Sequence, residues 1–185
     1  MKKLLVILSA PSGVGKTTVT NRFIQKYPGW KQVLTCTTRK PRQGEKDGID
    51  YRFLTESSFD LLIAADKFLE YAVVHGQFYG TLMSDVDSVW GSGVGAFLVI
   101  DTQGKEVVKA KIPEAVTVFL MPPSNAEMER RLRGRGKDSE TVIQIRLHRA
   151  LAETKDACTY DHIIVNDDIE KVVQKLYMIC TNQKI

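Results

Sequence analysis

Ser9-Ala10-Pro11-Ser12-Gly13-Val14-Gly15-Lys16-Thr17-Thr18 decides how the chain is read. It follows the apolar run Leu4-Leu5-Val6-Ile7-Leu8 and opens a helix-patterned segment, Val19 to Gln25. A buried strand, a glycine-bearing turn and a helix beginning at Lys-Thr make a loop that cradles phosphate in nucleotide-binding α/β proteins. Backbone N–H groups of such a loop and the positive end of its helix face the phosphates, while Gly13 and Gly15 admit conformations closed to larger residues. Lys16 then reaches the β- and γ-phosphates and Thr17 holds Mg²⁺. Ala10 replaces the usual first glycine, a departure of one methyl group. The competing reading is a plain glycine-rich turn with a chance Lys-Thr, and the strand-loop-helix context weighs against it.

The 185 residues suit one domain, or a core with small inserted subdomains, and suffice for a substantial apolar interior. Lys and Arg number 26 against 22 Asp and Glu, a net charge of +4 that fits phosphorylated ligands without the broad basic surface a nucleic-acid binder needs. Cys36, Cys158 and Cys180 are scattered and odd in number, which points to reduced thiols in a cytoplasm rather than to disulfides or zinc. Met1-Lys2-Lys3 before Leu4 to Ala10 resembles a signal peptide, but the apolar part is minimal and runs into the phosphate loop. A first core strand explains it better, and no apolar run approaches the roughly 18 residues of a membrane span.

Further along, strands and helices alternate. Gln32 to Thr35 reads as a short strand, and Thr37 to Gly48 as a polar loop punctuated by Pro and Gly. Tyr51 to Leu54 alternates, Ser57 to Ala65 is helical with Phe59, Leu62 and Ile63 on one side, and Phe68 to Val74 returns as strand. A compact strand-rich insert is expected across roughly 36–83. Ala96 to Asp101 is a near-continuous apolar run ending in a carboxylate, the signature of a parallel strand buried on both faces. Asp101 thus falls where open α/β sheets place ligands.

Val116 to Met121 is another buried strand, and Ser124 with Glu127 is a capping box for the next helix. That helix runs through Arg130, Arg131 and Arg133 into Gly134-Arg135-Gly136. A long helix from Ser139 to about Ala157 carries Ile143, Leu147, Ala150 and Leu151 as one stripe, with Val142, Arg146, Arg149 and Glu153 on another side. His162 to Asp168 reads as a last core strand with a polar end, and Ile169, Val172, Val173, Leu176 and Cys180 line the closing helix. The alternation implies an α/β fold, a mostly parallel sheet wrapped by helices.

The loop region 35–51 answers where a second substrate lies. Arg39, Arg42 and Tyr51, with Tyr79 from Phe78-Tyr79-Gly80-Thr81, are two fork-shaped cations and two phenols suited to one phosphate. Each charged hydrogen bond to that phosphate contributes about 1.5–3 kcal/mol. The plainer alternative is a solvated basic loop. Glu70 and Asp101 at strand edges are acceptors for the N1–H and exocyclic NH₂ of guanine, and adenine would leave them unpaired, a discrimination of about 10⁴-fold.

Over nearly its whole length the chain resembles guanylate kinase. The residues that carry the likeness are the loop Ser9 to Thr18, Thr37-Thr38-Arg39-Lys40-Pro41-Arg42-Gln43-Gly44-Glu45, Asp47 to Tyr51, Phe68 to Tyr71, Phe78 to Thr81, Ile100 to Gly104, Arg133 to Gly136 and Ile164 to Asp168. The phosphate loop alone is widespread; this ordered set is specific. The resemblance implies a P-loop kinase fold, a three-layer α/β/α core with an inserted β-rich GMP-binding subdomain and a short lid. Within a single domain 1–185, the core is expected at about 1–35, 84–125 and 155–185, the GMP-binding insert at about 36–83 and the lid at about 126–154.

By the same resemblance Arg39, Arg42, Tyr51 and Tyr79 hold the phosphate of GMP or dGMP, and Thr35, Glu70, Thr81 and Asp101 read the guanine edge. Ser12, Gly13, Val14, Gly15, Lys16, Thr17 and Thr18 hold ATP, with Arg131 and Asn166 toward the nucleoside, and Thr17 and Asp101 serve Mg²⁺. Lys16, Arg39, Arg135 and Arg146 stabilise the transferring phosphoryl group. The expected activity is ATP + GMP to ADP + GDP, in a cytoplasmic monomer or weak homo-oligomer without nucleic-acid or membrane partners.

The chain departs from its relatives in places. Val99 stands where they often have a second acid, Phe78 lacks a common hydroxyl, and Trp90-Gly91-Ser92-Gly93 reads as a loose helix end. Arg130 and Arg133 are expected on a solvated face, Cys36 in packing, and His75, His148 and His162 at the surface or in packing. Two other functions share this pattern. A non-catalytic phosphopeptide-binding module would have a damaged phosphate loop, whereas Lys16, Thr17 and Arg135 are intact; a ribose 1,5-bisphosphate kinase would not need both Glu70 and Asp101.

Overall fold

The computed structural model describes residues 4–74, 76–134 and 140–181. Strand β1 (Leu5–Ser9) and helix α1 (Lys16–Lys26) flank the phosphate-type loop. Next come β2 (Trp30–Gln32), β3 (Thr35–Thr37), β4 (Arg52–Phe53), α2 (Glu56–Ala64), β5 (Phe68–Val74) and β6 (Gln77–Leu82). They are followed by α3 (Met83–Gly91), β7 (Gly95–Val99), α4 (Thr102–Lys111), β8 (Val116–Met121) and α5 (Asn125–Arg133). The chain closes with α6 (Glu140–Lys155), a 3₁₀ turn at Asp156–Thr159, β9 (His162–Val165) and α7 (Ile169–Cys180). The fold is α/β, with one sheet in the order β2-β7-β1-β8-β9 and a second in the order β4-β3-β6-β5. In the first, β2 pairs with β7, β1 with β8 and β8 with β9, all parallel. Among the described residues no helix is long and apolar enough to cross a membrane.

Two compact units can be distinguished. The first comprises residues 4–5, Gly29–Phe97 and Gln103–Ala115. Its four-stranded sheet holds an aromatic core in which Phe59 stacks on Phe68 at 4.4 Å and on Phe78 at 5.1 Å, over Cys36 and Leu82. Phe78, where a hydroxyl is missing, therefore serves packing. The strand expected at Gln32 to Thr35 divides in two: Val33 N–H still donates to Phe97 O, and the chain then passes to the second sheet, where Thr35 pairs with Thr81. The end of α3 is tied rather than loose, because Trp90 Nε1 donates to Leu4 O at 2.9 Å and Gly93 turns the chain at φ 79°.

The second unit comprises Val6–Pro28, Leu98–Thr102 and residues 116–181. All five residues of β1 are buried, as a strand covered on both faces requires. Helix α1 begins at Lys16, three residues before the apolar pattern becomes visible, because Gly15 at φ 105° turns the loop directly into it. Helices α5 and α6 pack Met128 and Leu132 against Ala150, Leu147 and Leu151, the stripe anticipated from spacing. Strand β9 is not a core strand buried on both faces: Ile164 is buried, but Ile163 and Val165 are 52% and 46% exposed. Last in the sheet, it has only β8 beside it among the described residues. The run Ala96 to Asp101 is strand only to Val99, so Asp101 sits just beyond β7, immediately before α4.

Candidate functional site

In the second unit the loop after β1 has the backbone its glycines permit. Gly13 and Gly15 lie at φ 87° and 105°, in the left-handed region, and Val14 N–H closes a turn on Pro11 O at 3.3 Å. A Cβ on Gly13 would stand 2.8 Å from Leu132 Cδ2, and one on Gly15 3.0 Å from Asn166 Nδ2. Ala10 lies outside the left-handed region, which explains why a methyl is tolerated there. Helix α1 has Gly15 as its cap, no side-chain cap bond and no acid in its first turn. No side chain of its own first turn thus occupies the positive end of α1, which suits it to an anion.

Four side chains fasten this loop. Asn166 Nδ2 and Arg131 Nη1 donate to Val14 O at 2.7 and 3.0 Å, while Arg131 Nη2 donates to Asn166 O at 3.2 Å. Arg146 Nη2 donates to Ser12 Oγ at 2.9 Å, and Lys16 Nζ to Ala10 O. A cavity of about 490 Å³ opens beside the loop, lined by Gly13, Gly15, Thr18, Arg131, Asn166 and Asp167. The positive-φ glycines, the uncapped helix start and the converging cations fit a nucleoside polyphosphate. Thr17, exposed at the start of α1, and Asp101, exposed between β7 and α4, are oxygen donors suited to Mg²⁺ held jointly with phosphate. Glu153, two helical turns from Arg146, shares this surroundings. Although the residue is exposed as a whole, burial of its carboxyl pushes the pKa up, with Lys16 opposing and Asp101 adding.

In the first unit three buried polar residues lie in one row across three strands. Thr35 of β3 faces Thr81 of β6, which faces Glu70 of β5. They are 9%, 0% and 4% exposed, and Thr81 Oγ1 donates to Glu70 Oε1 at 2.6 Å. The row depends on a bulge: Phe68 pairs with Leu82 but Glu70 with the next residue, Thr81, so Leu69 is the extra residue. Gly80 is required beside it, since a Cβ there would meet Tyr71 Cβ at 2.9 Å and Glu70 O at 3.0 Å.

Tyr79, two residues from Thr81 and so on the same face of β6, accepts from Arg39 Nε at 3.2 Å. Tyr51 packs edge-on to Tyr79 at 6.2 Å and lies 5.3 Å under the Arg39 guanidinium; burial pushes its phenol pKa up. Arg39, read as a cation with an open fork, instead has its terminal nitrogens on Glu45, each at 3.0 Å. Arg42 is exposed, with its backbone N–H on Glu45 Oε2 at 2.7 Å.

The structure therefore gathers Arg39, Tyr51 and Tyr79, with Arg42 on the same loop, and sets Thr35, Glu70 and Thr81 in a row. It separately gathers Ser12 to Lys16, Arg131, Arg146 and Asn166. Arg135 and His75 lie outside the described residues. Sequence reasoning gave no role to Glu45 or Glu153; the two-turn spacing of Glu153 from Arg146 was the available signal, and Glu45 stood in a quoted motif. Arg130 and Arg133 are on the solvated face, paired with Glu127 and with Glu129 and Glu140. Cys36 is buried, its thiol pushed up to about 11 by burial, as a packing cysteine should be.

Against known proteins, residues 2–183 match the family model described as guanylate kinase. The guanylate kinase of Shewanella frigidimarina (strain NCIMB 400) is 44% identical over 182 residues, covering 98% of this chain and 88% of that protein. That of Fusobacterium nucleatum subsp. nucleatum is 44% identical over 178 residues, covering 96% of each. Among solved structures, a guanylate kinase from Anaplasma phagocytophilum superposes with a TM-score of 0.80 at 32% identity, covering 99% of this chain and 87% of that one.

Proposed function

The chain belongs to the guanylate kinase family, and from that premise we propose that it transfers the γ-phosphoryl group of ATP to GMP, and to dGMP, giving ADP and GDP or dGDP. The observation that carries the reading is the face of β6 shared by Tyr79 and Thr81. Tyr79 belongs to a phosphate-suited cluster and Thr81 to a buried carboxylate row, about 7 Å apart along the strand. A nucleoside monophosphate offers both a phosphate and a base edge; a sugar bisphosphate has no edge for Glu70.

Arg39, Arg42, Tyr51 and Tyr79 clasp the phosphate of GMP, and Glu70, with Thr35, Thr81 and Asp101, accepts from the guanine N1–H and NH₂. The loop Ser12 to Thr18 holds the ATP phosphates through backbone N–H groups at the start of α1, and Arg131 and Asn166 border the nucleoside. Thr17 and Asp101 would hold Mg²⁺, which supplies charge neutralisation on the β- and γ-phosphates when bound. An oxygen of the GMP phosphate attacks the γ-phosphorus in line, and the β–γ bridging oxygen leaves with ADP. Lys16, Arg39, Arg146 and Arg135 stabilise the charge on the transferring group, so no side-chain nucleophile is needed. A cytoplasmic monomer or weak homo-oligomer suits this role.

The test is ADP release from ATP and Mg²⁺ with GMP, AMP, CMP, UMP, ribose 1,5-bisphosphate or no acceptor. Turnover with GMP alone supports the proposal. Turnover only with the sugar reassigns the chain to a sugar phosphate kinase, and silence with folded protein reassigns it to a binding module.

A further inference from the structure

We infer that Glu45 is the positioning residue of the acceptor-phosphate clasp, holding Arg39 by its terminal edge so that its side edge and the Tyr79 hydroxyl are presented together. This rests on the reading of Arg39, Arg42, Tyr51 and Tyr79 as the site of the GMP phosphate. A guanidinium offers two edges, one made of its two terminal nitrogens and one of Nε with a terminal nitrogen. Glu45 takes the first edge with both oxygens at 3.0 Å, and Lys40 O accepts the remaining Nη1 proton at 2.7 Å. The second edge is turned to Tyr79, whose oxygen accepts from Nε at 3.2 Å and so keeps its own proton to donate.

The ring faces of Tyr51 and Phe53, 5.3 and 5.8 Å from the guanidinium carbon, fix its plane. Both partners are shielded, the side chains of Arg39 and Glu45 being 16% and 19% exposed. The same carboxylate accepts from Arg42 N–H at 2.7 Å, and Glu45 N–H returns to Arg42 O at 3.0 Å. One acid thereby holds both phosphate-facing arginines, one by its side chain and the other by its backbone.

A carboxylate beside a phosphate dianion repels it, so orientation is the contribution that accounts for this placement. The opposite role, a latch that competes with phosphate for Arg39, predicts tighter GMP binding when the charge is removed.

The experiment measures GMP affinity by calorimetry, and KM for GMP and for ATP, in wild type, Glu45→Gln, Arg39→Ala and the double variant. Glu45→Gln is expected to weaken GMP and raise its KM about tenfold, as losing a charge-assisted pair does, with KM for ATP unchanged. In the Arg39→Ala background it should add nothing, because the guanidinium that needs the charge is gone and an amide oxygen can still accept from Arg42 N–H. Unchanged or tighter GMP binding by folded Glu45→Gln overturns the inference, as does a loss that simply adds to that of Arg39→Ala. Should Glu45→Gln fail to fold, Glu45→Asp serves: one methylene too short to hold both nitrogens, it should also raise KM for GMP alone, and no change overturns the inference. Wild-type protein that binds no GMP overturns the proposed function and this inference together; wild-type binding with an unaffected variant overturns the inference alone.

Discussion

Gly13 is required twice over, once by its backbone at φ 87° and once by Leu132, whose Cδ2 would lie 2.8 Å from a new Cβ. Either condition alone could be relaxed, but Leu132 is packed in the α5–α6 core and has little room to yield. We expect Gly13→Ala to lose about 1–3 kcal/mol of stability through strain and overpacking. Because the loop backbone would shift, ATP affinity should fall while GMP affinity is kept. Urea unfolding together with calorimetry of each nucleotide checks this; equal losses for both nucleotides, or none for ATP, would refute it. Gly15 has the same backbone demand but meets only an amide nitrogen of Asn166, so there the consequence is a loosened hold on Val14 O.

Helix α5 shows how an element uses residues whose roles are ambiguous in sequence. Ser124 Oγ accepts from Glu127 N–H at 3.1 Å, so the N-cap half of the expected capping box forms, while the Glu127 carboxylate goes to arginines instead of back to Ser124 N–H. The Glu127 carboxylate takes Arg130 and Arg131, and Arg131 in turn reaches the phosphate loop. The acid thus orients a cation that borders the cavity. Those hydrogen bonds from Arg130 and Arg131 pull the Glu127 pKa down to about 2, and those from Arg133 and Gln144 do the same for Glu140. An acid whose folded pKa is depressed contributes stability above its unfolded value, about 4.3, and loses it as pH falls through the folded value. The pairs should therefore survive at pH 4 and fail near pH 2. A carboxyl-carbon NMR titration is the check: midpoints for Glu127 and Glu140 near that of an ordinary exposed glutamate would refute the pairing. As exposed pairs they add little to global stability, so their effect is local orientation.

At the scale of the whole molecule, the first compact unit carries Arg39, Arg42, Tyr51, Tyr79 and the row Thr35, Thr81 and Glu70, and the second carries the phosphate loop and Asp101. Ligand at about 100 times its Kd stabilises what it binds by roughly 2.7 kcal/mol, or about 100-fold in amide exchange through opening of that unit alone. GMP should then slow exchange in β3 and β6, and a non-hydrolysable ATP analogue should slow it in residues 10–20; protection by GMP confined to the second unit would refute the assignment. The sequence by itself determined the strand-loop-helix start, strands β5 and β8, the apolar stripe of α6 and the face of α7, because each rests on periodicity or on residues close in the chain. It also supplied the residue types at both constellations through their family resemblance. Only the tertiary structure decided that Leu69 bulges and aligns Glu70 with Thr81 and Thr35, that Glu45 holds Arg39, and that β9 is an edge. Register, the choice among several acids for one arginine, and the presence of a neighbouring strand are set by what else packs nearby; an apolar run or a charged residue looks the same in sequence whichever partner it finds.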